Sequence, residues 1–270
     1  MYRNHLSPPA FPEPWAVDWG EDTYGLWMTF ALDGVRQVFR WIRPGVFMMG
    51  ASAGEGGRRH WLGKETRHKV VLTQGFWLAD TAVTQEMWKI VMRSDPSGFK
   101  GDLHPVERVS WNDAQVFLQR LNRLLPGLKV RLPQEAEWEY ACRAETEAPF
   151  SFGPEITPEQ VNYNGEHPYR QNRSGVFRRK TVAVKSLPCN QWGLYEMHGN
   201  VWEWCQDYWR NDLSSQCVVD PSGPKKGGTH VVKGGAWVYD GWFVRSACRD
   251  RHRPDYCLGS IGLRPAVTGK

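Results

Sequence analysis

The sequence predicts an α+β fold, a single loop-rich domain in which short strands and three helices are pinned by aromatic side chains. Three observations predict it. The 270 residues carry 15 Trp, 9 Tyr and 11 Phe beside 27 Gly and 18 Pro, and Trp and Tyr bring large buried area with a polar group that needs a partner. Hydrophobic residues make up 41% and charged residues 23%, an ordinary globular balance that excludes disorder. Strand-like and helix-like periodicities both occur, without the regular alternation of a parallel βαβ protein. No linker interrupts them, so the organisation expected is an N-terminal extension, residues 1–40, and one domain over residues 41–270.

Taken in order, Thr29 to Trp41 partly alternates in a strand-like way, and Ile42–Gly50 (IRPGVFMMG) reads as strand, Pro-Gly turn and strand. Gly54 to Thr66 is rich in glycine and charge and reads as an exposed loop. His68–Leu72 and Gly75–Ala79 are further strands. Thr84 is the N-cap expected for a helix over Gln85–Met92, in which Met87, Trp88 and Val91 share a face. Ser110 caps a second helix with Asp113 completing a capping-box-like pair, and Ala114, Phe117, Leu118, Leu121 and Leu124 or Leu125 form its apolar stripe. Pro133 at the first helical position opens a third helix, running to Cys142. From Ala144 to Asn190 the chain reads as loop, followed by the short aromatic segments Trp192–Tyr195, Val201–Cys205 and Val231–Trp237.

Composition narrows function. No run approaches the ~18 apolar residues that span a bilayer, so no membrane partner is expected. Met1 to Glu13 is polar and bears no apolar signal core, which makes the cytoplasm the expected compartment. Net charge is +5, from 34 basic and 29 acidic residues. The basic run Arg170, Arg173, Arg178, Arg179 and Lys180 reads as a solvated face, and nucleic acid is not the partner expected. Cys142, Cys189, Cys205, Cys217, Cys248 and Cys257 form no CxxC pair and read as reduced thiols.

Several segments carry a resemblance. Arg131–Cys142 (RLPQEAEWEYAC), Gly193–Trp204 (GLYEMHGNVWEW), Gly234–Trp237 (GGAW) and Ile261–Arg264 (IGLR) resemble the formylglycine-generating enzyme, or sulfatase-modifying factor, family. Pro44–Gly50, Thr81–Trp88 and Pro105–Asp113 (PVERVSWND) follow in the family's order, so the likeness runs from about Trp41 to Ala266. It implies that family's variant of the C-type lectin fold.

Catalytic members that this chain resembles place two copper-binding cysteines just after the Gly-Gly segment, soft thiolates being what cuprous ion requires. Trp237–Ala247 (WVYDGWFVRSA) holds no cysteine, and Cys248 lies beyond it. No catalytic residue is therefore assigned and no catalytic cofactor expected. The histidines, His5, His60, His68, His104, His167, His198, His230 and His252, form no HxxH or HxxxH pair for iron and read as surface or loop residues. The resemblance also implies a structural calcium on Gly199–Glu203, with Asn200, Val201 and Glu203 as ligands. A second calcium near Val161–Asn164 lacks its later carboxylate, because Ser174 stands there.

The segment after Gly-Gly is where the sequence places function. A framework (Val244–Ala247, Arg249, Arg251, Arg253–Asp255, Ile261–Arg264) is interrupted by Val238, Tyr239, Asp240, Gly241, Trp242, Phe243, Cys248, Asp250, His252, Tyr256, Cys257, Leu258, Gly259 and Ser260. Every interruption but Trp242 can be reached from an Asn codon, AAC or AAT, by changing only its adenines. This is similar to the variable region of diversity-generating retroelement proteins, many of which use the same lectin-type fold. The resemblance implies a ligand-binding surface for a protein or other macromolecule, and aromatic residues beside small polar ones suit such a surface. Cys248 and Cys257 are expected to be exposed on it. Open alternatives are that Phe243 and Leu258 belong to a core, that the arginines pair with Asp250 and Asp255, and that the chain is an iron- or copper-dependent oxidase-type enzyme with a divergent site.

Overall fold

The first layer is assembled from both ends of the chain. The computed structural model describes residues 6–53, 55, 65–170 and 173–269. In chain order the amino-terminal half holds β1 (Asp18–Asp22), β2 (Gly25–Leu32), β3 (Val35–Ile42), β4 (Gly45–Met49), β5 (His68–Leu72), β6 (Phe76–Ala79), α1 (Gln85–Met92) and α2 (Trp111–Leu124). Then come β7 (Val130–Arg131), α3 (Glu135–Arg143), β8 (Trp202–Tyr208), β9 (Val218–Val219), β10 (His230–Lys233), β11 (Arg249–His252), β12 (Ile261–Gly262) and β13 (Ala266–Thr268). A six-stranded antiparallel sheet runs β1-β2-β3-β6-β13-β7, placing the last strand of the chain between β6 and β7. A four-stranded sheet runs β11-β10-β8-β12, with β12 parallel to β8, and a small sheet joins β4, β5 and β9.

The boundary expected at residue 40 falls inside β3, which pairs with β6 from Phe39↔Ala79 to Ile42↔Phe76. Residues 18–40 are thus hydrogen-bonded into the domain's largest sheet. β1 (DWGED) shows no alternation because it is an edge strand that leaves charged residues in water, as edge strands do. Of the loop expected over Gly54–Thr66, residues 54 and 56–64 lie outside the described residues, as do His5 and His60.

Helix starts follow local chemistry. Thr84 Oγ1 accepts from Met87 N at 3.3 Å. Ser110 Oγ accepts from Asp113 N at 3.1 Å while Asp113 Oδ2 accepts from Ser110 N at 3.0 Å, a reciprocal cap. α3 departs from expectation: Gln134 is its N-cap, and Pro133 lies one residue before it. Glu137 Oε2, which accepts from Gln134 N at 2.8 Å, fixes that start.

Aromatic anchors hold the layers. Trp77, Trp138, Trp202 and Trp204 are fully buried. Their polar edges find partners in two cases, Trp138 Nε1 to Glu203 Oε2 at 2.6 Å and Trp204 Nε1 to Val109 O at 3.0 Å. Half-buried Trp111 likewise donates to Cys205 O at 3.1 Å. The six cysteines are free thiols. No helix among the described residues is long and apolar enough to cross a membrane.

Candidate ligand-binding surface

Gly234 and Gly235, at φ 97° and 71°, turn the chain out of β10. A side chain at Gly235 would meet Val244 Cγ1 at 2.5 Å and Phe243 O at 2.7 Å, so the doubled-back segment needs glycine there. Backbone hydrogen bonds then tie the segment to the preceding long loop: Asn164 N to Tyr239 O at 2.8 Å, Gly241 N to His167 O at 3.0 Å and Trp237 N to Asn200 O at 3.0 Å. Trp237 closes the far end, donating Nε1 to Gly259 O at 2.9 Å.

Three of the five framework arginines, Arg245, Arg249 and Arg264, point inward, while Arg251 and Arg253 are exposed. Arg245 Nη1 lies 2.7 Å from both Glu55 Oε1 and Glu65 Oε2. Arg249 holds Glu135 through Nε at 2.6 Å and Nη2 at 2.8 Å, and Arg264 holds Glu203 through Nε and Nη2 at 2.9 Å. Lys233, on β10, reaches Glu139 Oε2 at 2.9 Å. All four cations are at most 1% exposed. Burial alone would raise the Glu139 carboxyl, but Lys233 and Arg143 pull it down to about 2. These pairs answer the open question about the arginines: among the described residues, only Arg253 takes one of the nearby aspartates, Asp255, at 3.2 Å in solvent.

β11 sorts its residues by strand alternation. Arg249 and Arg251 both lie over the Trp209 ring, at 4.1 and 4.7 Å. On the other side His252 stacks on Tyr256 at 4.9 Å and meets Trp204 edge-on at 6.2 Å. Around it Tyr239 packs edge-on against Trp202 at 5.7 Å, and Trp242 tilts against Tyr169 at 4.4 Å. Val238, Tyr256 and Cys257 are exposed, while Tyr239, Asp240, Trp242, Asp250, His252, Leu258 and Gly259 are half-buried. Burial raises the Tyr239 phenol, with Asp250 adding to it, and lowers the His252 imidazole.

The remaining interruptions lie inside. Cys248 is completely buried, which corrects the expectation of an exposed thiol, and burial pushes its ionisation far up. Phe243 is buried against Tyr239 at 5.1 Å, in keeping with the core alternative. A side chain at Gly241 would meet Tyr169 N at 2.4 Å. Ser260 is buried, and its carbonyl accepts from Trp202 N at 2.8 Å. Sequence reasoning missed Glu107. Its carboxylate is buried beside Gly259, with Oε1 accepting from Phe99 N at 2.9 Å and Oε2 only 3.6 Å from Arg108 Nε. The signal available was the charged pair Glu107 and Arg108 set between the apolar residues Val106 and Val109.

The calcium set does not fit. Both Glu203 oxygens are committed to Arg264 and Trp138, so the carboxylate is already compensated by a buried cation. Asn200 Oδ1 accepts from Val182 N at 2.9 Å and Asn162 Nδ2 at 3.1 Å. His198 lies in a loop, as expected, but is buried there, bonded to Val244 O at 2.7 Å, and burial lowers it to about 4. His68 and His230 are buried as well. Arg170, Arg173, Arg179 and Lys180 of the basic run are exposed as expected, Arg179 pairing with exposed Glu166 at 3.6 Å, whereas Arg178 is half-buried.

Comparison with known proteins agrees with this architecture. Residues 35–268 match the family described as sulfatase-modifying factor enzyme 1-like domain. The formylglycine-generating enzyme of Bos taurus is 35% identical over 172 residues, 61% of this chain and 44% of that protein. The chain spans about half the length of the curated relatives it matches. Among solved structures, Treponema denticola variable protein 1 superposes with a TM-score of 0.75 at 24% identity, covering 89% of this chain and 98% of that one. PvdO from Pseudomonas aeruginosa gives 0.74 at 24% identity, covering 94% and 98%. The α+β, C-type lectin-like fold expected from the sequence is the fold observed.

Proposed function

The chain belongs to the family of sulfatase-modifying factor enzyme 1-like domains, and from that premise we propose that it is a non-catalytic ligand-binding protein. Its binding surface is the outward part of residues 238–260, diversified by a retroelement that rewrites adenine positions. One observation carries the reading. Along a single segment, the interrupting residues Val238, Tyr239, Asp240, Trp242, Asp250, His252, Tyr256 and Cys257 reach solvent, while three of the five framework arginines, Arg245, Arg249 and Arg264, are buried in ion pairs. Rigid aromatics beside Asp240 and Asp250 form an open, adaptable patch, which suits a protein or other macromolecule as partner.

Sequencing the 3′ end of this gene and its flanks in sibling isolates tests the proposal. Substitutions clustered at codons 238–260, opposite adenines of a nearby repeat beside a reverse-transcriptase gene, are the expected result. An invariant segment without a repeat would overturn it.

The formylglycine-generating enzymes among the relatives favour a second reading, an oxidase-type enzyme with iron or copper on divergent ligands. The absence of cysteine from Trp237–Ala247 speaks against a two-thiolate copper site. Stoichiometric iron or copper in protein purified without chelator would favour this second reading.

A further inference from the structure

On the Trp209 side of β11, away from the proposed binding surface, lies a cavity of about 320 Å³. The amino-terminal end of α3 forms its floor, with Glu135 beside Asp207, and Met49, Leu213 and Val218 give it apolar walls. Arg249, Arg210 and His68 complete the charged and titratable part of its lining. Glu135 is neutralised by the bidentate contact with Arg249. Asp207 is not. It is 5% exposed and accepts from Glu135 N at 2.7 Å, and no cation pairs with it among the described residues. A buried carboxyl without a counter-charge is costly to ionise.

We infer that this cavity binds a small primary ammonium ion with a short apolar tail, the head on Asp207 and the tail against Met49, Leu213 and Val218. The volume is at the low end for ligand pockets, which suits a molecule of a few carbon atoms. The end of a helix alone favours anions, but Glu135, Glu137 and Asp207 already crowd this one. Burial, then Glu135 and Glu137, push the Asp207 carboxyl up to about 8. Near neutral pH the group is therefore the acid, and an arriving ammonium ion pairs with the carboxylate as one proton leaves to solvent.

Three probes with one tail test this on the full chain: hexylamine, hexanol and hexanoate, titrated calorimetrically between pH 6.5 and 8.5. Hexylamine is expected to bind tightest, its affinity rising close to tenfold per pH unit below about pH 7.5 and levelling above about 8. Close to one proton is released per amine bound at about pH 6.5, and progressively fewer as pH passes about 8. Asp207→Asn reduces hexylamine to the hexanol level. Leu213→Trp, which leaves the Asp207 carboxyl untouched, weakens amine and alcohol alike by filling the tail space. Tighter binding of hexanoate, no binding of any probe, or amine binding indifferent to pH and to Asp207→Asn would overturn the inference. The site uses none of the residues proposed for the binding surface, so either reading can fail without the other.

Discussion

Between Lys233 and Arg264 two populations of side chain share one stretch of chain. Lys233, Arg245, Arg249 and Arg264 are buried and each closes on a carboxylate. Val238, Tyr256 and Cys257 stand in solvent a few residues away. The difference teaches where specificity of fold is stored. A buried cation tolerates little change, because loss of its partner leaves an uncompensated charge in the interior. An exposed residue whose backbone is held by neighbours can change with little effect on stability.

Breaking one inward pair is the severest way to test that contrast. Arg264→Ala strands Glu203 in the interior and is expected to destabilise the protein by about 3–5 kcal/mol, read by urea denaturation. Replacing both partners, Arg264→Met with Glu203→Leu, is expected to recover only part of that loss, because Trp138 Nε1 is left without its acceptor.

Next in size is a contrast of pH. Glu139 has its cations and is held at about 2, so its stabilisation is present above the ordinary carboxylate range and lost as pH falls toward 2. Asp207 has no cation and is raised to about 8, so its sign is opposite: stability is full below its unfolded pKa and falls as pH rises through 8. Asp207→Asn is expected to flatten the wild-type decline between about pH 4 and 8, a difference on the order of a few kcal/mol. A decline unchanged by the substitution would remove Asp207 as its source.

Thiol chemistry sharpens the contrast within the segment itself. Cys257 is exposed and Cys248 is completely buried. Alkylation of the folded protein is expected to label Cys257 at least about a hundredfold faster, because Cys248 must wait for unfolding. Equal rates would place both on the surface. The smallest effect is expected outside: Tyr256→Ala or Val238→Ala should change stability by no more than about 0.5 kcal/mol, seen as an unchanged melting curve.

Local chemistry was legible in the sequence and long-range chemistry was not. The caps of α1 and α2 are written within a few residues, as Thr84 and as Ser110 with Asp113. The strands His68–Leu72 and Phe76–Ala79, which lie in different sheets, follow from β-branched and aromatic runs. β1 was hidden because nothing in DWGED marks an edge strand whose pairing is supplied by β2. Within the candidate surface, the split between framework and interruptions could be read, but the depth of each interruption could not. Cys248 is buried because the chain turns inward between Arg245 and Arg249, and those arginines find their carboxylates at Glu55, Glu65 and Glu135, far away in sequence. The calcium role that the resemblance implies for Glu203 is likewise displaced by a distant partner, Arg264, 61 residues further along the chain.

The most direct test of the account is a complete single-substitution library over residues 233–264, sorted for resistance to proteolysis. The account predicts depletion at Lys233, Gly235, Gly241, Arg245, Cys248, Arg249 and Arg264, with near-neutral scores at Val238, Asp240, Asp250, Tyr256 and Cys257. Equal depletion at the two groups would contradict it, because the outward residues would then be scaffold and the segment would have no surface free to vary.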